Sequence, residues 1–360
     1  MGSFMPSTIS EALLDGDVHE LPLNEHQGRT ISPQAREILE RELRLFTLPD
    51  VAVSDERIVD MRMQFAALER QQLEEMRTWF QPSIARTSIE GVKVVVVTPP
   101  SAAARTDHAL LYIHGGGYVM GSATDRTGML MAHELGLKMY SVDYQVAPEA
   151  KFPVALEECL KVYRHLVKTY APSKVAVVST SAGSGHALGM LLKAQEEGLP
   201  MIGASALLSP SVDLTQAGDS MTSNAGRDLM TYENHADKLY IAPFVGSARL
   251  DDPLVSPVYG TYREGFPATV IVTGTRDVFL SGSTRLYWKL RRATVPAELL
   301  VAEGMWHAFT SYPDLPEAVE SRQAVRSFVE AHLGARAEGG APGARPRMQP
   351  EIEAPERTTP

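Results

Sequence analysis

Short, uninterrupted runs of aliphatic and β-branched residues recur along the middle of this chain, and each ends in small residues followed by helix-like sequence. Ala109-Leu110-Leu111-Tyr112-Ile113 runs into His114-Gly115-Gly116-Gly117, and Val175-Ala176-Val177-Val178 runs into Ser179-Thr180-Ser181-Ala182-Gly183. Apolar runs of this length without alternation mark strands buried on both faces. Further strand runs cover 138–143, 202–208, 268–273 and 297–301, and helical patterns cover 154–170, 182–197, 282–292 and 315–333. A hairpin over 87–98 is expected to turn at Glu90-Gly91 and stop at Pro99-Pro100. Strands alternating with helices predict an α/β fold, with a mainly parallel central sheet and helices on both faces.

Two regions depart from the alternation. Ser32-Pro33 has the form of a helix start, with Ser as cap and Pro in the first turn, and a second helix is expected from near Ser54 to Phe80. Residues 31–85 therefore form a helical N-terminal segment that serves as a cap, after a flexible N-terminus over 1–30. Residues 212–258 are too long for a simple connection and are expected to be a cap or lid insertion. It divides the core into a first part, 86–211, and a second, 259–333. Residues 334–360 hold four Gly, five Pro and no aromatic residue, so a disordered tail is expected.

A net charge of −10 gives no basic footprint for nucleic acid or for an anionic membrane. No apolar run approaches a bilayer span, and the first residues lack the pattern of a secretory signal. Cys159 is the only cysteine and lies in helical sequence without an activating neighbour, so a buried structural thiol is expected. These features point to a cytoplasmic location.

The chemistry lies at the strand ends. A serine held on a sharp strand-to-helix turn projects its hydroxyl outward and aims the next amide at a reacting oxygen. Ser181 occupies such a turn, between small neighbours Ala182 and Gly183. Ser179, two residues earlier, replaces the glycine of the G-x-S-x-G pattern, a tolerated crowding. Consecutive glycines after His114 let backbone amides approach a substrate oxygen, as in the oxyanion loop of lipases and esterases. Asp277 follows a strand, and His307 follows the last one after Gly304. Nucleophile, acid and base in that order describe a serine hydrolase on an α/β sheet. Asp251 and Asp252 are rival acids but read better as turn residues beside Pro253. Gly183-Ser184-Gly185 as a dinucleotide fingerprint fails on glycine spacing and lacks the downstream acid. His133-Glu134 has no second histidine at zinc-ligand spacing, so neither metal nor cofactor is expected.

Over roughly residues 87–333 the chain resembles the hormone-sensitive-lipase-like branch of the α/β-hydrolases, with its bacterial esterases and lactone hydrolases. The matching pieces are His114-Gly115-Gly116-Gly117-Tyr118, Ser141-Val142-Asp143-Tyr144 with Ala147-Pro148-Glu149 and Phe152-Pro153, and Thr180-Ser181-Ala182-Gly183. Asp252-Pro253-Leu254-Val255-Ser256-Pro257, Gly274-Thr275-Arg276-Asp277 and Glu303-Gly304-Met305-Trp306-His307 complete the set. Thr180, where many members carry Asp, is similar to the subgroup that includes monoterpene ε-lactone hydrolases.

The resemblance implies the α/β-hydrolase fold and hydrolysis of small-molecule carboxylic esters or lactones. It implies Ser181 as nucleophile, Asp277 as orienting acid and His307 as base. The oxyanion amides would be those of Gly116, Gly117 and Ala182, with Gly115 a weaker fourth, and His114 would hold the loop. It also admits a homodimer. Departures are Ser179, Ser184 where a second glycine is usual, and Trp306, whose bulk beside the base is expected to narrow the pocket. Met120, Met221, Met230, Tyr232 and Phe244 are candidate pocket residues, with core packing as the alternative for each. Two other readings share the scaffold: a catalytically silent ligand-binding protein, which a catalytic histidine argues against, and an amidase.

Overall fold

The computed structural model describes residues 17–20, 23, 26–47, 54–230, 232–233 and 237–334. An eight-stranded sheet organises them. Its strands are β1 (Ser83–Ile89), β2 (Val92–Thr98), β3 (Ala109–Ile113), β4 (Met139–Val142), β5 (Val175–Thr180), β6 (Ala204–Leu208), β7 (Ala268–Gly274) and β8 (Ala297–Ala302). They lie in the order β8-β7-β6-β5-β3-β4-β2-β1, with every neighbouring pair from β8 to β4 parallel. Only β2 runs against the rest, antiparallel to both β4 and β1. The β1–β2 hairpin turns at Glu90 (φ 49°) and Gly91 (φ 81°), the two left-handed residues that a tight hairpin turn demands.

Helices cover both faces of the sheet. Along β3 and β5, Leu110, Tyr112, Ala176 and Val178 face one layer, built from α3 (Arg126–Leu135) and α7 (Pro316–His332). Leu111, Ile113, Val175 and Val177 face the other, built from α4 (Val154–Thr169), α5 (Ala182–Glu196) and α6 (Leu280–Arg292). Apolar side chains on both sides of the pleat explain why these strands read as unbroken runs. Cys159 lies fully buried in the second layer, and burial pushes its thiol pKa upward.

Two N-terminal helices stand outside this frame. α1 (Pro33–Glu42) starts at Ser32, whose hydroxyl accepts from the Ala35 amide, and α2 (Asp55–Phe80) starts at Ser54, which accepts from Arg57. Ile58 and Met61 of α2 join Leu239, Ile241, Phe244 and Val245 of the insertion in a third apolar cluster, with Tyr118, Val119 and Met120 beneath. The expected flexible terminus and tail lie largely outside the described residues. Within 1–30, however, Asp17–Glu20 pairs antiparallel with Arg44–Thr47, which also meets Tyr232–Glu233. These partners are far apart in sequence, so local periodicity gives no sign of them. Among the described residues no helix is long and apolar enough to cross a membrane.

Candidate active site

Strand order brings the two glycine-rich turns together. β3 and β5 are neighbours in the sheet but not in sequence, and Ile113 pairs with Ser179. Their C-terminal ends therefore deliver the His114 loop and Ser181 to one crevice, the place where open parallel sheets collect ligands.

Ser181 has φ 53° and ψ −125°, a conformation that costs a non-glycine residue about 1–3 kcal/mol. Its own amide, donating to Leu208 O at 2.9 Å, and the Ser211 amide, donating to Ser181 O at 3.1 Å, hold it there. Tight packing also explains Gly183, where an added Cβ would lie 2.2 Å from His114 O. The two departures from the glycine pattern explain each other. Ser179 and Ser184 are fully buried, and the Ser179 hydroxyl donates to Ser184 Oγ at 3.0 Å.

His307 Nε2 lies 2.9 Å from Ser181 Oγ, and His307 Nδ1 lies 3.2 Å from Asp277 Oδ1. Asp277 is fully buried and also accepts from Thr273 Oγ1 at 3.0 Å and the Phe279 amide at 2.9 Å. Burial alone would raise its pKa. The charge of His307 and the hydrogen bonds around the carboxylate outweigh burial and hold the value below the ordinary range. Burial likewise pulls His307 down, but the charge and hydrogen bond of Asp277, helped by Asp228, raise it above its usual value.

Gly116, Gly117 and Ala182 line the same cavity as Ser181 and His307, and their amides donate to no acceptor among the described residues. Gly116 takes φ 117°, and a Cβ there would meet Met120 O at 2.1 Å. Ala182 opens α5, so its N–H carries the positive end of the helix dipole. Gly115 also borders the cavity. His114 is structural: its ring stacks on Tyr144 at 4.1 Å, its Nδ1 contacts Gly115 O at 2.7 Å, and burial lowers its pKa to about 4.

Asp228 has no counterpart in the sequence reading. It comes from the 212–258 insertion and is fully buried, and it accepts from the amides of His307 (2.8 Å), Val278 (2.8 Å) and Met230 (3.2 Å). One carboxylate thus ties the residue after Asp277 to the backbone of His307. Asn224 adds a second tie, with Nδ2 donating to Asp277 O at 2.9 Å. Burial first, and the charge of Asp277 second, push Asp228 up to about 6. No local pattern marks such a residue, because its partners lie some fifty and eighty positions away.

Other sequence expectations divide. Asp251 is exposed and paired with Arg249, and Asp252 Oδ1 accepts from the Leu254 amide, so both are turn residues. Met120, Met221 and Met230 line the cavity. Phe244 instead stacks on Tyr118 at 4.2 Å, and the side chain of Tyr232 lies outside the described residues. The expectation that Trp306 narrows the pocket is corrected. Trp306 is fully buried against Tyr312 in the layer below the sheet and is not part of the cavity wall. With the His307 side chain turned into the cavity, its predecessor points the opposite way. The cavity measures about 170 Å³, and its apolar wall includes Phe65, Leu214, Ile241 and Phe279. Among the described residues no cluster of three or more His, Cys, Asp or Glu is disposed to hold a metal ion.

Several known proteins are similar to this chain in sequence and fold. An alpha/beta hydrolase fold family matches residues 110–311. The chain is 34% identical over 258 residues to a Mycobacterium tuberculosis protein provisionally named acetyl-hydrolase LipR, covering 71% of this chain and 80% of the relative. It is 29% identical over 237 residues to an acetyl-hydrolase of Streptomyces hygroscopicus, covering 64% and 78%. Among solved structures it is similar to esterase E25, with TM-score 0.77 and 27% identity over 88% of this chain and 97% of that one. An esterase from the bacterial hormone-sensitive lipase family gives TM-score 0.68 and 28% identity, over 79% and 100%. With the family match spanning more than half its length, the chain is a member of the α/β-hydrolase family, in the hormone-sensitive-lipase-like branch.

Proposed function

We propose that this chain is a carboxylic ester hydrolase that works through a Ser181 acyl-enzyme, on small esters or lactones. The observation that carries the reading is the placement of His307 between Ser181 Oγ at 2.9 Å and Asp277 at 3.2 Å. In this mechanism His307 Nε2 takes the Ser181 proton as Oγ attacks the ester carbonyl carbon. Negative charge then forms on the carbonyl oxygen, which accepts from the amides of Gly116, Gly117 and Ala182. Each well-aimed donor lowers the barrier by about 2.7–4 kcal/mol. The imidazolium returns its proton to the leaving alcohol. Water, activated by the same imidazole, then releases the acid and restores Ser181. Asp277 keeps the imidazole oriented and stabilises its charged form. With a lactone, the leaving hydroxyl stays tethered and the product is a hydroxy acid.

The cavity of about 170 Å³ favours short acyl chains, being smaller than the ~300–1,000 Å³ of sites for drug-sized ligands. Relatives named acetyl-hydrolases agree with that preference. α2 and residues 212–258 act as the cap that closes the cavity above the core.

The test is turnover of nitrophenyl acetate, butanoate and hexanoate beside a lactone panel, for the native protein and Ser181→Ala. The reading expects hydrolysis by the former and background rates for the latter. Activity retained in the variant would remove Ser181 as nucleophile. Saturable ligand binding without any turnover would favour a silent receptor, and cleavage of anilides but not esters an amidase.

A further inference from the structure

The inner face of α2 is apolar along its length except at two positions. Residues spaced three or four apart form one stripe, in which Ile58, Met61 and Phe65 pack with the insertion and Met76 and Phe80 pack into the core layer beneath it. Between these two apolar stretches lie Glu69 and Gln72, 5% and 7% exposed, and both border the cavity that holds Ser181. A helix that only had to pack would carry aliphatic residues there, because burying a carboxyl or an amide without partners costs free energy. The Gln72 side chain has no hydrogen-bond partner among the described residues, and both its amide atoms keep accessible surface. Glu69 Oε1 accepts from the Ser122 amide at 3.1 Å, and Oε2 keeps accessible surface as well.

The chemistry of the pair selects its ligand. Burial, then the charge of Asp125, pushes the Glu69 carboxyl up to about 8, so near neutral pH it holds its proton and offers an O–H. Gln72 offers an NH2 and a carbonyl oxygen. Each side chain thus presents a donor and an acceptor and no net charge. The other acids of the wall are already engaged. Asp213 pairs with Arg285, Glu42 pairs with Arg41 at 2.7 Å, and Asp125 accepts from the Gly128 amide at 2.8 Å and Tyr112 Oη at 2.9 Å. Their charges disfavour an anionic substrate, and none is left needing a cation. A hydroxyl, neutral and able to donate and accept at once, answers the pair best, whereas a carbonyl only accepts.

We propose that Glu69 and Gln72 form the specificity subsite of this cavity, and that preferred substrates are esters bearing a hydroxyl group remote from the bond that is cut. The inference rests on the proposed Ser181 chemistry and names the substrate class for it. The hydroxyl donates to one side chain and accepts from the other, which completes the pair and fixes the far end of the substrate.

The test uses pairs of esters of equal size. 2-Hydroxyethyl acetate against propyl acetate places the hydroxyl on the alcohol side, and methyl 3-hydroxybutanoate against methyl 3-methylbutanoate places it on the acyl side. In at least one pair, kcat/KM for the hydroxy ester should exceed that of its alkyl match by about ten-fold or more, because the alkyl match leaves the polar pair unanswered. Gln72→Leu removes no hydrogen bond within the protein and should bring that ratio close to one. Glu69→Leu should do the same, while Glu69→Gln, which copies the protonated carboxyl, should keep most of the preference. Ratios near one for both pairs in the native protein would overturn the assignment, and a ratio that survives Gln72→Leu would do so too. Calorimetric binding of uncleavable ketones gives a readout independent of turnover, with 5-hydroxypentan-2-one against hexan-2-one and 5-hydroxyhexan-3-one against 5-methylhexan-3-one. At least one hydroxy ketone should bind the native protein about five-fold more tightly than its match, and failure of both to do so would sink the subsite. Failure to hydrolyse even nitrophenyl acetate would count against the Ser181 reading instead, leaving the ketones to judge Glu69 and Gln72.

Discussion

Asp228→Asn separates positioning from stability. The carboxylate accepts three backbone amides, while an asparagine offers one oxygen and turns an NH2 toward the others. Losing at least one charge-assisted bond costs about 1.5–3 kcal/mol. Against that, a carboxyl lifted from the ordinary value near 3.9 to about 6 makes the ionised form cost roughly 3 kcal/mol at neutral pH, a cost the amide removes. The two contributions offset, so the melting temperature should move by less than about 3 °C. Activity should respond differently, because the same carboxylate holds the His307 amide. A displacement of about 1 Å in a reacting group costs on the order of 10²-fold in rate. The pH profile adds a sign. Asp228 helps raise His307, so removing its charge lowers the imidazole pKa, and the acid limb of kcat/KM should move to lower pH. Stopped-flow or spectrophotometric kinetics from pH 5 to 9, with thermal melts on the same samples, would read both. An unchanged kcat with an unmoved acid limb would refute the positioning argument.

The remaining predictions are quicker to state. Ser179→Ala and Ser184→Ala each leave one buried hydroxyl unpaired, at about 1–3 kcal/mol, so the double variant should cost less than the sum of the singles in denaturant unfolding; strict additivity would contradict the pairing. Glu69 has a folded pKa of about 8 against ~4.3 unfolded, so its contribution to stability falls as pH rises between those values. Glu69→Gln should therefore gain melting temperature over the native protein across that window, and parallel pH curves would dispose of the argument. Trp306→Ala should cost about 3–5 kcal/mol of stability and leave the acyl-length preference as it was, whereas an altered preference would return Trp306 to the pocket wall.

Much of this architecture is legible in sequence for a simple reason. Strands buried on both faces have to be apolar without interruption, and a nucleophile turn has to be built from small residues. β3, β5 and β7 stand out on the first ground, and Ser181 and the glycines after His114 on the second. Other features depend on partners distant along the chain. Asp228 and Asn224 acquire meaning only when the insertion folds back on the loops of Asp277 and His307. The Ser179 hydroxyl reads as crowding until Ser184 is placed against it. Adjacency to His307 suggests a pocket role for Trp306, yet in the loop after β8 the two side chains part, Trp306 into the core and His307 into the cavity. α3 is not marked by periodicity, since Gly128 interrupts its apolar stripe where the Tyr112 ring packs against the backbone.

The most direct trial is covalent. A fluorophosphonate that needs an activated serine should modify the native protein once, with the adduct mapped by mass spectrometry to Ser181 and esterase activity lost in proportion. Labelling at another residue, or full ester turnover from protein quantitatively modified at Ser181, would contradict the account.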